Sequence, residues 1–266
     1  MKPTKNANPK YQVRVKKRNG QAMIETLVTL PLLLGIGLGI LQFALIWEAK
    51  LALNHATLMT ARTGATNALD IPRMQETLSK HLAPLRAPDL SVINPGVTYR
   101  ETLSDLRDGM REPDPANNIA MIRIVNPTRE AFDDFGNVIP NSHLSARGNV
   151  PGTTSLVSIQ DANVLRIQVA YGLPLIVPFA GNFIIETFTF FFCGLGDCDV
   201  SAIGSPGDNY RWWLMLQSGL FPVQSVATVR MHSPPTRTPN NANFIMSRTQ
   251  VASCAERFGA GDCLAP

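Results

Sequence analysis

The sequence has little of what a catalytic site is built from. Its four histidines, His55, His81, His143 and His232, stand at no metal-ligand spacing. No Gly-x-Ser-x-Gly elbow occurs, which removes that type of activated nucleophile. The run "GIGLG" (35–39) has no strand before it and lies inside an apolar stretch, so it is not a dinucleotide loop. Asp134-Phe135-Gly136 spells a kinase triplet, but no glycine-rich loop, paired lysine or catalytic-loop motif accompanies it, and it reads as a turn. Nothing in the chain brings two carboxylates together as an acid–base pair. These gaps predict a protein without metal, cofactor or small-molecule substrate, and not an enzyme.

A spread basic surface is also missing. The net charge is +4, but the first 20 residues hold seven of the 24 Lys/Arg (Lys2, Lys5, Lys10, Arg14, Lys16, Lys17, Arg18) and no acid. The remaining 17 basic residues face 20 acidic ones, so residues 21–266 carry −3. A nucleic-acid partner calls for Lys/Arg over a folded face, and this distribution argues against one.

What is present is one long apolar run. Thr26 to Trp47 is 22 residues without a charge. As a helix it is roughly 33 Å long, enough to cross the hydrocarbon of a bilayer. Trp47 stands near its outer end, where an interfacial aromatic belongs, and the basic block before it predicts a cytoplasmic N-terminus. The run exceeds the apolar core of a cleaved secretory signal, roughly 7–15 residues. A plain anchor satisfies the length but leaves Glu25 unexplained, because a carboxylate at the edge of the apolar layer is costly unless paired. Gly35-x-x-x-Gly39 is a close-packing signal for membrane helices, set against the ordinary glycine enrichment of such helices. Pro31 predicts a kink or a loosened turn.

The stretch "RNGQAMIETLVTLPLLLGIGLGILQFALIW" carries a resemblance. A basic leader ending in Gly20, a glutamate five residues later and a long apolar helix resemble the type IV prepilins and pseudopilins. The small or apolar tetrad before Glu25 and the early Pro31 look more narrowly like the TadE-like proteins of the tight-adherence (Flp) pilus system. "VLRIQVAYGLPLIVP" and "PVQSVATVRMHSP" resemble the weaker later part of that pattern. The major Flp pilin has Tyr after the glutamate and is far shorter. Thr26 and the length of this chain therefore point to a minor pseudopilin or assembly component.

The resemblance implies cleavage after Gly20 by a prepilin peptidase, so that Gln21 becomes the new terminus. It also implies partners among other pilus or pseudopilin subunits, the inner-membrane assembly platform and membrane lipid. The new α-amine and Glu25 could neutralise one another within or between chains. Two other readings stand beside it. One is a pseudopilin of another type IV or secretion system. The other is a plain membrane-anchored periplasmic enzyme or binding module, which needs a polar site in the head.

The expected fold is α+β. Residues 1–20 form a basic cytoplasmic leader. Residues 21–69 form a long helix, transmembrane in its first half over about 26–47. Residues 70–232 form an exported, pilin-like head with a small antiparallel sheet. Residues 233–266 form a Pro/Asn-rich tail of little structure. Asp70 and Pro72 predict the start of a second helix over "DIPRMQETLSKHLAPL". Strands are expected at "DLSVINPGVTYRE", broken by Asn94-Pro95-Gly96, at 118–126 as a central strand, at 163–172 and at 223–231. The loop 136–162 is long enough to be disordered or functional. Residues 173–192 read as core, a subunit contact or a second span. Cys193, Cys198, Cys254 and Cys263 are disulfide candidates in an exported domain, with local pairs the simplest of three connectivities. "CGLGDC" has the wrong spacing for a zinc knuckle.

Overall fold

The computed structural model describes residues 21–93, 120–177 and 219–252, with backbone alone at 21, 22, 24 and 86–93. The leader with Gly20, the Asn94-Pro95-Gly96 turn, residues 178–192, all four cysteines and the end of the tail lie outside the described residues. The architecture is α+β, with a long N-terminal helix leading into a head built on a three-stranded antiparallel sheet.

Helix α1 runs unbroken from Gln21 to Thr66 with Pro31 inside it, over a length of roughly 69 Å. From Ala49 onward it buries one face. Ala49, Leu53, Ala56, Thr57, Thr60, Ala61 and Ala65 are buried, at spacings of three and four. Small side chains on this face let the helix lie close to its neighbours. A Cβ on Gly64 would come within 2.9 Å of Met74 Sδ and 3.1 Å of Leu165 Cδ2. The hydroxyls of Thr57 and Thr60 donate to the carbonyls of Leu53 and Ala56, so burial leaves them satisfied.

The helix ends on two left-handed residues, Ala68 and Leu69, with φ of 51° and 64°. Non-glycine residues there cost about 1–2 kcal/mol each. The turn is held from outside. Ser233 Oγ accepts from the Ala68 N–H and donates to Ala65 O, and Asn241 Nδ2 donates to Leu69 O at 3.2 Å.

Helix α2 (Ile71–Ile93) packs on α1 through Ile71, Met74, Leu78 and Leu82. Asp70 stands just before it as expected, with its carboxylate 3.2 Å from Arg73 Nε. The helix extends past Pro84 and Pro88, so Asp89–Ile93, expected as the start of a strand, is helical. An interior proline loses its N–H bond and crowds the carbonyl four residues back, and the packing of Ile71, Met74, Leu78 and Leu82 on α1 offsets that cost.

Strand β1 (Ala120–Asn126) is followed by α3 (Arg129–Phe135), a 3₁₀ turn at Leu144–Ala146 and the single turn α4 (Ile159–Ala162). β2 (Val164–Pro174) and β3 (Leu220–Arg230) complete the sheet in the order β1-β2-β3. Among the described strands β1 thus stands at the edge, not at the centre. Its long apolar run reflects burial on both faces, as with Met121 and Val125 opposite Ile122 and Ile124. Residues 244–246 close the exposed edge. Ile124 N–H donates to Phe244 O, and Ile124 O accepts from Met246 N–H.

β2 falls where the sequence predicts a strand, and it is buried on both faces from Ile167 to Leu173. Leu165, Ile167, Val169 and Tyr171 are buried on the face toward α1, in register with Val229, Ala227, Ser225 and Val223 of β3. Each large apolar side chain so buried contributes about 1.5–3 kcal/mol.

The tail is the largest departure from expectation. Residues 233–252 are ordered against the head. Ile139 N–H donates to Pro235 O, Arg237 pairs with Asp133 at 2.7 Å, and Ile245 is fully buried. Prolines and asparagines serve here as turn formers and amide donors, which composition alone reads as disorder. The 136–162 loop is likewise folded, with turns tied to α3 and α4.

Candidate assembly surface

Along α1 the surface changes character near Gln42. The large apolar side chains of Leu27, Val28, Leu30, Leu32, Leu33, Leu34, Ile36, Ile40 and Leu41 are exposed. Among the described residues, α1 is the one helix long and apolar enough to cross a membrane. Among the described residues, none lies within 4 Å of a Cβ placed on Gly35, Gly37 or Gly39. Glu25 is exposed near the start of the helix, and its carbonyl accepts from Thr29 Oγ1 at 2.8 Å. Gln21 opens the helix, and Gly20 falls outside the described residues.

Gln42 is the one amide in the apolar run, and it is 1% exposed. Its Oε1 accepts from the Val177 N–H at 3.1 Å, so the chain leaving β2 is fastened to α1 at that level. Leu38, Gly39 and Ile46, on the same face as Gln42, are half-buried. Further down, Lys50 Nζ donates to Gln224 O, and Ser225 Oγ bonds Asn54 Oδ1 at 2.8 Å. The helix and the sheet are therefore joined by polar bonds as well as apolar packing.

The head holds two polar arrangements. Asp134, near the end of α3, accepts from Thr153 Oγ1, from the Thr154 and Ser155 N–H groups and from Ser155 Oγ at 2.7–3.2 Å. Burial raises its pKa, but these donors from Ser155 and Thr154 outweigh that and bring it down to about 2. A depression of about 440 Å³ lies alongside, lined by Phe135, Arg147, Val150, Pro151 and Ile159. With its carboxylate already bonded to the loop, Asp134 serves as an anchor and not as a base.

The second arrangement joins α1 to α2. The rings of His55 and His81 meet edge to face at 5.4 Å. The His81 pKa is lowered by burial, then by His55 and Lys80. Among the described residues no group of three His, Cys, Asp or Glu could hold a metal ion.

Of the expected site residues, the structure places Glu25, Pro31, Gly35 and Gly39 on one continuous helix, α1. The Gln42–Val177 bond, the Asp134 anchor and the histidine pair were not anticipated. Only the first had a sequence signal, an amide within a charge-free run.

No curated protein and no solved structure matches the chain. Residues 20–62 match the family model described as TadE-like protein, a match that starts at the glycine before Gln21 and ends within α1. Such a segment, on a helix with the dimensions of a single-pass anchor, points to a protein associated with the tight-adherence pilus system. Over this segment the chain is similar to the TadE-like proteins.

Proposed function

We propose that the protein is a minor pseudopilin or assembly component of a tight-adherence (Flp-type) pilus. A prepilin peptidase cleaves it after Gly20. The mature chain sits in the bacterial inner membrane with its head in the periplasm, an orientation supported by the basic block before the span. It acts through helix and head contacts with other subunits and with the assembly platform, and catalyses no reaction.

The observation that carries this reading is the α1 surface. An acid stands alone at the start of a bare apolar helix, inside the TadE-like segment and five residues after a glycine. In the apolar layer Glu25 needs a cation, and the α-amine created at Gln21 supplies one on the same or a neighbouring chain. Such a pair also fixes how far one helix slides along the next.

The test is Glu25→Ala, scored for processing, protein level and pilus formation. The expected result is a cleaved, stable protein that fails to support normal piliation. Full piliation by a cleaved and stable variant would contradict the role given to this acid.

A further inference from the structure

The contact between Gln42 and Val177 puts part of the head at the level of the membrane. Gln42 lies five residues inside the Trp47 end of the charge-free run, about 7.5 Å along the helix. Leu173 to Val177, the end of β2 and the three residues after it, therefore stand beside α1 within the outer part of the span or at its boundary. Counting the span from Met23 to Leu41 instead gives roughly 28 Å, and Gln42 is then the first residue past the hydrocarbon. On either count the segment meets lipid headgroups or the ends of acyl chains.

Its chemistry suits that place. Ile176 is 64% exposed, and Phe43, Leu45 and Trp47 at the same height on α1 are exposed too. Backbone N–H groups in an apolar layer need an acceptor from the protein, because water is absent. The Gln42 side chain supplies one to Val177, and the Val177 N–H in turn engages the carbonyl oxygen of that amide.

We propose that Leu173–Val177 is a second membrane-contacting element, seated in the outer interface of the bilayer with Ile176 against lipid and fastened to the span by the Gln42–Val177 hydrogen bond. The head is then held at a fixed height and tilt on the membrane, not swung on a free helix. This rests on α1 being a membrane span.

The experiment uses the full chain in phosphatidylethanolamine–phosphatidylglycerol vesicles, with a photoreactive diazirine amino acid at position 34, 138 or 176 in turn. Adducts are identified by mass spectrometry. Leu34 lies in the bare part of α1, and Val138 is an exposed residue of the head. Lipid adducts at 34 and 176, and none at 138, are expected. Lipid adducts at 34 with only water adducts at 176 would overturn the inference, as would capture of a second protein chain at 176. Absence of lipid adducts at 34 would overturn the span itself and this inference with it. Gln42→Leu keeps the helix apolar and removes the acceptor. It should lower the lipid adduct yield at 176 severalfold while leaving that at 34 unchanged, and an unchanged yield at 176 would overturn the anchoring role of Gln42.

Discussion

The carboxylate of Asp134 occupies the space that a side chain at position 152 would need. A Cβ on Gly152 would lie 2.2 Å from Asp134 Oδ2 and 2.6 Å from Ser155 Oγ. Neither atom can give way freely, because Oδ2 is held by the Ser155 N–H and hydroxyl, each at 2.7 Å. Gly152→Ala is therefore expected to destabilise the head by about 1–3 kcal/mol. Denaturant unfolding of the variant against the parent measures it. An unchanged midpoint would show that the loop is not seated on Asp134.

The same anchor has a pH signature. The folded Asp134 titrates near 2, below its ordinary value of 3.8. Its contribution is present above about pH 4 and is lost as pH falls toward 2, because the unfolded chain takes up the proton first. Asp134→Asn should cost about 1–2 kcal/mol at neutral pH, with a smaller difference from the parent near pH 3. A pH-independent difference would remove charge from the explanation.

His81 makes the opposite helix interface sensitive at milder pH. Its pKa lies below the ordinary 6.5 because of burial first, then His55 and Lys80. Stability from this site is present above pH 6.5 and falls as pH drops below it, since the unfolded imidazole binds the proton more readily. A proton titration followed by NMR should show His81 below 6.5 and moving upward in His55→Gln. Titration of His81 at or above 6.5 in the parent chain would refute the effect.

The ordered tail yields a further expectation. Asn241 is buried and donates to Leu69 O and Thr236 O while accepting from Thr238 N–H. Asn241→Ala removes these bonds and leaves Ser233 as the remaining side-chain tie on the left-handed helix end. A loss of about 1–3 kcal/mol in thermal or denaturant unfolding is expected. No loss would mean that the tail is a passive appendage.

How much of this could be read from residues alone follows the range of the interactions. α1, β2 and β3 announce themselves by local pattern: a charge-free run, the alternation of Leu165, Ile167, Val169 and Tyr171, and a second β-branched stretch. The TadE-like signature at Gly20 and Glu25 is equally local. The order of the tail is not legible in the sequence because Asn241 is bonded to Leu69, 172 residues away, and a polar segment gives no sign of a distant partner. β1 reads as a central strand because its residues are apolar on both faces, yet its edge is covered by the very tail expected to be loose. Asp134 and His81 gain their roles only from the loop and helix that the fold brings beside them.

The account turns on processing. Mass spectrometry of the membrane-extracted protein, from cells with and without prepilin peptidase, reads the mature N-terminus directly. The search must allow ammonia loss from an N-terminal Gln21. The account predicts a chain starting at Gln21 in the presence of the peptidase and an uncleaved leader in its absence. A leader that survives in both strains, or a cut beyond Trp47, would contradict it and leave Glu25 as an ordinary residue at the foot of an anchor or signal.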